Sequence, residues 1–303
     1  MTANGSERVR FSVVIPTLRR TAILAKTVAN LVDCNPPPDE VILVDADGDG
    51  SARRLAHEQD ARRERPVVRY LSTPASLTFQ RNRGIDEARG DVLVFLDDDV
   101  AVPPDVFSRL AEAYADPSIV GATGRVVEPH AKRIGGVGSR LRALFPGTPP
   151  GRFTRFGYPR YVREAETPPA YVEYMLGCFM SARRDVAAAV RFDEALGGYA
   201  LAEDEDFSYR LSREGPIRYL PDIVVHHEKF GFSSKDPLEL NRLVVRNRAY
   251  LFRKNFAHTR RARAEFRVFV AALLAHRLLN REWRAARGLV EGVLAARRER
   301  RRG

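Results

Sequence analysis

TFQRNRGIDEARGDVLVFLDDD spans Thr78 to Asp99. Its first half has helical character, with Gly90 placed to end the helix. The second half is a short apolar run, Val92–Leu96, with the length and bounds of a buried strand. Helix, glycine, buried strand is the repeat unit of an α/β sheet. The strand then ends in Asp97, Asp98 and Asp99. Adjacent carboxylates repel one another, and a partly buried one also gives up hydration. The stretch therefore raises the question of what offsets three negative charges.

The same alternation extends in both directions. FSVVIPT (Phe11–Thr17) predicts a buried strand, and Ile23, Leu24, Val28 and Leu31 recur at helical spacing after it. VILVDADGDG predicts a second strand running into a Gly/Asp turn, Ser51–Arg63 a polar helix, and VVRYLST a third strand. Four strands alternating with helices imply a parallel sheet with helices on both faces. Ligands bind such sheets beyond the carboxyl ends of the strands. Thr17, Asp45 and Asp97–Asp99 all fall at those ends, so they are expected to share one rim.

After Pro104 a helix (PDVFSRLAEAYAD) and a strand (SIVGATGRVV) follow. Pro129–Pro169 is rich in Gly, Pro, aromatic residues and Arg, with weak periodicity; such a segment is a binding loop or a disordered one. YVEYMLGCFMSAR predicts one strand, AEDEDFSYRLSREG the start of a helix, and IRYLPDIVVHHE a strand ending in two histidines. The remainder is helical, with Phe266, Phe269, Val270, Leu273 and Leu274 on one stripe. The expected organisation is a short N-terminal arm (1–10), an α/β domain (11–235, with halves 11–128 and 129–235), and a helical extension with a basic tail (236–303).

The chain has 303 residues, 44% hydrophobic and 29% charged, within the range of a globular protein. Its longest apolar candidate for a membrane span, VFVAALLA, is less than half the required length. The opening MTANGSERVRF lacks an apolar signal core, and two distant cysteines make no disulfide framework, so a cytoplasmic setting is expected. The net charge of +11 is the unusual quantity, and much of the arginine lies after Arg242. It reads as solvated helix ends, an anionic membrane surface, an anionic substrate or nucleic acid. No nucleic-acid motif, P-loop, dinucleotide fingerprint or serine elbow is present.

Two acidic clusters carry the chemistry. Asp97–Asp99 suits a divalent cation, because Mg²⁺ and Mn²⁺ prefer carboxylate oxygens and commonly share substrate phosphates. Helix capping would need one aspartate, not three. Glu203, Asp204, Glu205 and Asp206 open a predicted helix, again beyond what capping requires, and one of them could serve as a general base. His226 and His227 point to opposite faces of their strand, so at most one meets the site. Arg81 has the chemistry to pair with phosphate, whereas Arg83 reads as a solvated helix face.

In order, VVIPT, LVDADGDG, QRNRGIDEARGDVLVFLDDD, GCFMSARRDV, AEDEDFSYRLSREG and VVHHE resemble family 2 glycosyltransferases of the GT-A fold, over about Ser12 to Glu228. Further on, NRLVVRNRAYLFRKNF and RAARGLVEGVL in the C-terminal helices resemble, more weakly, the rhamnosyltransferase-like branch. The resemblance implies an α/β fold of Rossmann-like type, mostly parallel and flanked by helices, with a helical C-terminal extension. It implies inverting transfer of a sugar from a UDP-, dTDP- or GDP-sugar, with Mn²⁺ or Mg²⁺ on the diphosphate. The acceptor would be a glycan, a lipid-linked sugar or a small metabolite.

Residue by residue, Pro16, Thr17 and Asp45 match positions lining the base and ribose, and Arg81 matches an arginine near the nucleotide. Asp97 and Asp99 match the D-x-D acids, Asp99 as metal ligand and Asp97 toward ribose or metal, with Asp98 beside the donor. Asp204 matches the catalytic base, and His227 the histidine completing the metal sphere. On this reading the three aspartates repel one another in the free enzyme, and cation and donor relieve them. The competing readings are a sugar-phosphate nucleotidyltransferase and a basic membrane- or nucleic-acid-binding protein without catalysis.

Overall fold

The computed structural model describes residues 8–61, 66–128, 147–162, 168–197, 200–228 and 236–300. The chain divides into two compact units: residues 1–129 with 170–228, and 130–169 with 229–303.

The first unit is built on one sheet of nine strands among the described residues, in the order β3-β2-β1-β4-β8-β6-β9-β5, with β7 pairing β9. Strands β1 (Phe11–Thr17), β2 (Glu40–Asp45), β3 (Val67–Ser72) and β4 (Val92–Leu96) form its parallel half. β1, β2 and β4 are buried along their whole length, because helices cover both faces of a parallel sheet. The connecting helices are α1 (Thr21–Val32), α2 (Ser51–Asp60) and α3 (Leu77–Glu87). Gly90 does not end α3, which stops at Glu87. Its place is set by close approach: a Cβ there would lie 2.6 Å from Ser12 Oγ and 2.7 Å from Ser12 N.

The other half contains β5 (Val100–Ala101), β6 (Gly121–Val127), β7 (Tyr171–Val172), β8 (Phe179–Arg183) and β9 (Ile217–His227). Helix α4 (Val106–Tyr114) precedes β6, α5 (Arg184–Val190) follows β8, and α6 (Glu203–Glu214) precedes β9. β8 runs antiparallel to both β4 and β6, and β5 antiparallel to β9. The single strand expected over Tyr171–Arg183 is two short ones. Residues 173–178 leave the sheet between them, and this interruption lies beside the second acidic cluster.

In the second unit, α7 (Pro237–Asn255), α8 (Arg260–Leu279) and α9 (Trp283–Arg300) are joined by short turns. Phe156, Phe252, Ala262 and Phe269 form its buried cluster, with Phe266, Val270 and Leu273 packed against it. Of the stripe expected on α8, Phe266, Phe269, Val270 and Leu273 face this small core. Of the long segment 129–169, residues 147–162 and 168–169 are described, and residues 152–160 fold back on themselves through paired backbone bonds between Arg152 and Arg160 and between Thr154 and Tyr158.

Candidate active site

Strand register assembles the rim. Thr17 and Asp45 are neighbours at the ends of β1 and β2. Gln80 of α3 ties those ends together, its amide donating to the carbonyls of Thr17 (3.0 Å) and Val44 (2.7 Å). The Asp45 carboxylate closes the following turn, accepting from the amides of Asp47 (3.0 Å) and Gly48 (3.3 Å) and from the Tyr70 hydroxyl (3.2 Å). Pro16 is buried one residue before the rim.

Each of the three aspartates meets a cation belonging to the protein. Arg20 reaches Asp98 at 2.7 Å and Asp99 at 2.6 Å. Arg81 reaches Asp97 at 3.1 Å. His227 Nε2 lies 3.1 Å from Asp99 and 3.9 Å from Asp97. The expected unrelieved repulsion in the free protein is therefore corrected: side chains from the residue capping α1, from α3 and from β9 already offset it. The doubled arginine directly after the first strand, TLRRT, was the available signal for Arg20.

The three carboxyls differ because their surroundings differ. Burial pushes Asp98 up to about 6, against the pull of Arg20 and a 2.8 Å hydrogen bond from the Thr17 hydroxyl. Burial also raises Asp97, with Arg81 and His227 opposing it. For Asp99, burial is outweighed by hydrogen bonds from His227 and Arg20, which hold it down at about 2. Burial disfavours the His227 imidazolium, yet hydrogen bonding with Asp99, Cys178 and Glu128 raises it to about 12.

β9 delivers His227 through its pairing with Val100, directly after the aspartates. His226 is exposed. Ligand atoms of Asp97, Asp99 and His227 all lie within 4.8 Å of one another. Two carboxylates and an imidazole fit Mn²⁺ or Mg²⁺ by donor type. Behind the ring, Nδ1 faces Glu128 Oε1 at 3.4 Å, the carboxylate–histidine pairing that orients ligand imidazoles. Sequence reasoning missed Glu128, which directly follows β6 without any motif.

Arg81 is 1% exposed, and its guanidinium is committed inward. It donates to Glu203 at 2.6 Å, to Asp97, and to the Gly177 carbonyl at 2.7 Å. It is placed to brace the site. Arg83 is half-exposed and pairs with Glu87 on its own helix.

The second acidic cluster separates by environment. Glu203 pairs with Arg81, and its carboxyl is pushed up by burial and by neighbouring Asp204, with Arg81 opposing. Asp206 is buried against Arg210 at 2.6 Å, and Glu205 is buried. Asp204 is the partly exposed member. Its Oδ2 accepts from the Tyr174 hydroxyl (2.9 Å) and the Gly177 amide (3.0 Å), which aim the carboxylate.

Gly177 thus holds Arg81 with its carbonyl and Asp204 with its amide. A Cβ there would sit 3.2 Å from Asp204 Oδ2 and 3.3 Å from Glu203 Oε1. Tyr174 and Gly177 were hidden inside what read as a continuous strand. Arg19 (φ 57°) and Ala202 (φ 71°), both left-handed non-glycine residues, stand next to Arg20 and Glu203. Backbone strain of this kind gathers at functional sites.

Comparisons with known proteins agree with this architecture. The chain is 28% identical over 234 residues to the succinoglycan biosynthesis protein ExoM of Rhizobium meliloti (strain 1021), covering 73% of this chain and 67% of that protein. A mannosyltransferase from Pyrobaculum calidifontis, solved with GDP-Man and Mn²⁺, superposes with a TM-score of 0.60 at 17% identity, covering 96% of this chain and 88% of that one. TarS 1–349 from S. aureus with UDP-GlcNAc gives 0.61 at 16% identity, covering 95% and 81%. These structures share the GT-A fold. Residues 12–190 match the family described as Glycosyl transferase family 2, more than half of the chain, so the protein belongs to that family and is a glycosyltransferase.

Proposed function

We propose that the protein transfers a sugar from a nucleotide-sugar donor to an acceptor hydroxyl, with inversion and with a divalent cation, in polysaccharide or glycolipid assembly or in glycosylation of a small metabolite. The observation that carries this reading is the convergence of Asp97, Asp99 and His227, linked through Arg81 and Gly177 to the half-buried Asp204.

Asp99 and His227 would hold the cation with Asp97, which would offset charge gathering on the departing diphosphate. Thr17, Asp45 and Pro16 form the end of the sheet proposed to take the nucleotide. Asp98 keeps the Thr17 hydroxyl and Arg20 in place. Asp204 is the proposed base. It would take the acceptor proton as the hydroxyl oxygen attacks the anomeric carbon from the face opposite the leaving group. The new glycosidic bond forms as the bond to the diphosphate breaks, so no enzyme-bound sugar is required and the configuration inverts. Residues 11–128 would carry the donor, and acceptor choice is assigned to 129–235.

Incubation with a panel of nucleotide-sugars and Mn²⁺ should release nucleoside diphosphate. Release of pyrophosphate instead would indicate a nucleotidyltransferase. Asp204→Asn should leave donor binding nearly intact while lowering turnover about a hundredfold or more. Near-normal turnover would remove Asp204 from the role.

A further inference from the structure

We propose that helices α8 and α9 dock the enzyme on an anionic lipid surface, with the corner Leu278–Leu279–Trp283 entering the interface.

α8 has two apolar faces. One carries Ala262, Phe269 and Leu273 into the core of its own unit. The other carries Ala264, Val268, Ala271, Ala275 and Leu278, all exposed. At about 100° per residue these five lie within about 40° of a common direction, on the side opposite the packed face. The stripe runs about 21 Å along the helix at 1.5 Å per residue. Leu279 follows it and is 81% exposed. A soluble helix of three to four turns or more needs only one apolar face to pack.

α9 repeats the arrangement. Ala285, Ala286 and Leu289 are buried, while Trp283 (65% exposed), Val290 and Leu294 lie together on the outer face. Leu279 and Trp283, the two most exposed large hydrophobic side chains among the described residues, flank the turn that joins the helices.

The occupant follows from charge. Between Arg260 and Arg300 there are eleven arginines against four acids. Arg260, Arg261 and Arg267 flank the outer stripe of α8, and Arg281, Arg284 and Arg287 surround the corner and are exposed. Arg260, Arg267 and Arg281 have no acidic partner among the described residues. A second copy of this surface would bring arginine against arginine. An anionic bilayer supplies what both features require: headgroup phosphates for the guanidinium groups and acyl chains for leucine and tryptophan. Tryptophan in particular favours that boundary, with its ring in the apolar layer and its N–H toward the headgroups.

Trp283 is the sole tryptophan of the chain, so its fluorescence reports the corner directly. The full-length protein is mixed with vesicles of phosphatidylcholine, or of phosphatidylcholine containing about one third phosphatidylglycerol. The expected result is co-sedimentation with the anionic vesicles, a blue shift of Trp283 emission, and quenching by brominated acyl chains, all weakened by salt. Leu279→Glu, at a site exposed in the fold, should keep the melting temperature and lose about tenfold or more of the vesicle affinity. Equal recovery with both vesicle types, or emission unchanged by lipid, overturns the proposal. So does a blue shift that appears without lipid and rises with protein concentration, which would make the face a contact between copies or with another protein.

Discussion

Replacing Arg81 by methionine tests the brace between the two acidic clusters. The arginine is almost completely buried, and its guanidinium serves Glu203 at 2.6 Å, Asp97 at 3.1 Å and the Gly177 carbonyl at 2.7 Å. Methionine fills similar apolar volume, including the space over the Phe192 ring that the guanidinium now covers. The loss is therefore electrostatic. Removing one partner of a buried ionic group costs about 3–5 kcal/mol, because the other is left uncompensated. At about 2–4 °C per kcal/mol for a unit of this size, the melting temperature should fall by about 6–20 °C.

Two carboxylates lose their partner in this variant, and Glu203 has the shorter contact. Adding Glu203→Gln to Arg81→Met should recover about half of the loss, since a neutral amide needs no buried counter-ion. Urea denaturation followed by circular dichroism at pH about 9, where the raised Glu203 carboxyl is ionised, measures both variants. A single variant within about 1 kcal/mol of the parent would refute the buried-cation reasoning. A double variant less stable than the single one would refute the pairing with Glu203.

Gly177→Ala should act on turnover more than on folding. The glycine lies outside the left-handed region, so the cost is steric, and the methyl must push Asp204 by a few tenths of an ångström. Since a displacement of about 1 Å can cost about a hundredfold in rate, a loss of about three- to tenfold in kcat is expected, with donor KM little changed. Asp99→Asn should weaken Mn²⁺ binding by about tenfold or more in calorimetry, and unchanged affinity would remove Asp99 as a ligand. Glu203 has its folded pKa raised by burial and Asp204, so its favourable contribution is complete below the unfolded value and is lost as pH climbs through the folded one. Glu203→Gln should therefore compare better with the parent at pH about 9 than at pH about 5 in thermal melts, and a constant difference would contradict the assignment.

Much of the fold was legible because it rests on local pattern. Continuous apolar runs such as FSVVIPT and VLVFL mark strands buried on both faces, and the helices between them force parallel pairing. That pairing alone puts Thr17, Asp45 and Asp97 at one edge. The interruption between β7 and β8 was not legible, since Tyr174, Met175 and Cys178 look like strand residues by composition. Nor was the outer stripe of α8, where small and large apolar residues mix with arginine.

By itself, the sequence determined the alternation of the first four strands with helices and which polar residues end those strands, since hydrophobic periodicity acts over a few residues. Only the tertiary structure decided which cation answers which acid. Arg20 stands 79 positions from Asp99, and Arg81 stands 122 positions from Glu203. Those partnerships depend on register and on the path of whole segments, and burial then makes each of them energetically consequential. The same three aspartates that seemed to await a cation from outside are held by an arginine at the start of α1, an arginine buried in α3 and a histidine at the end of β9.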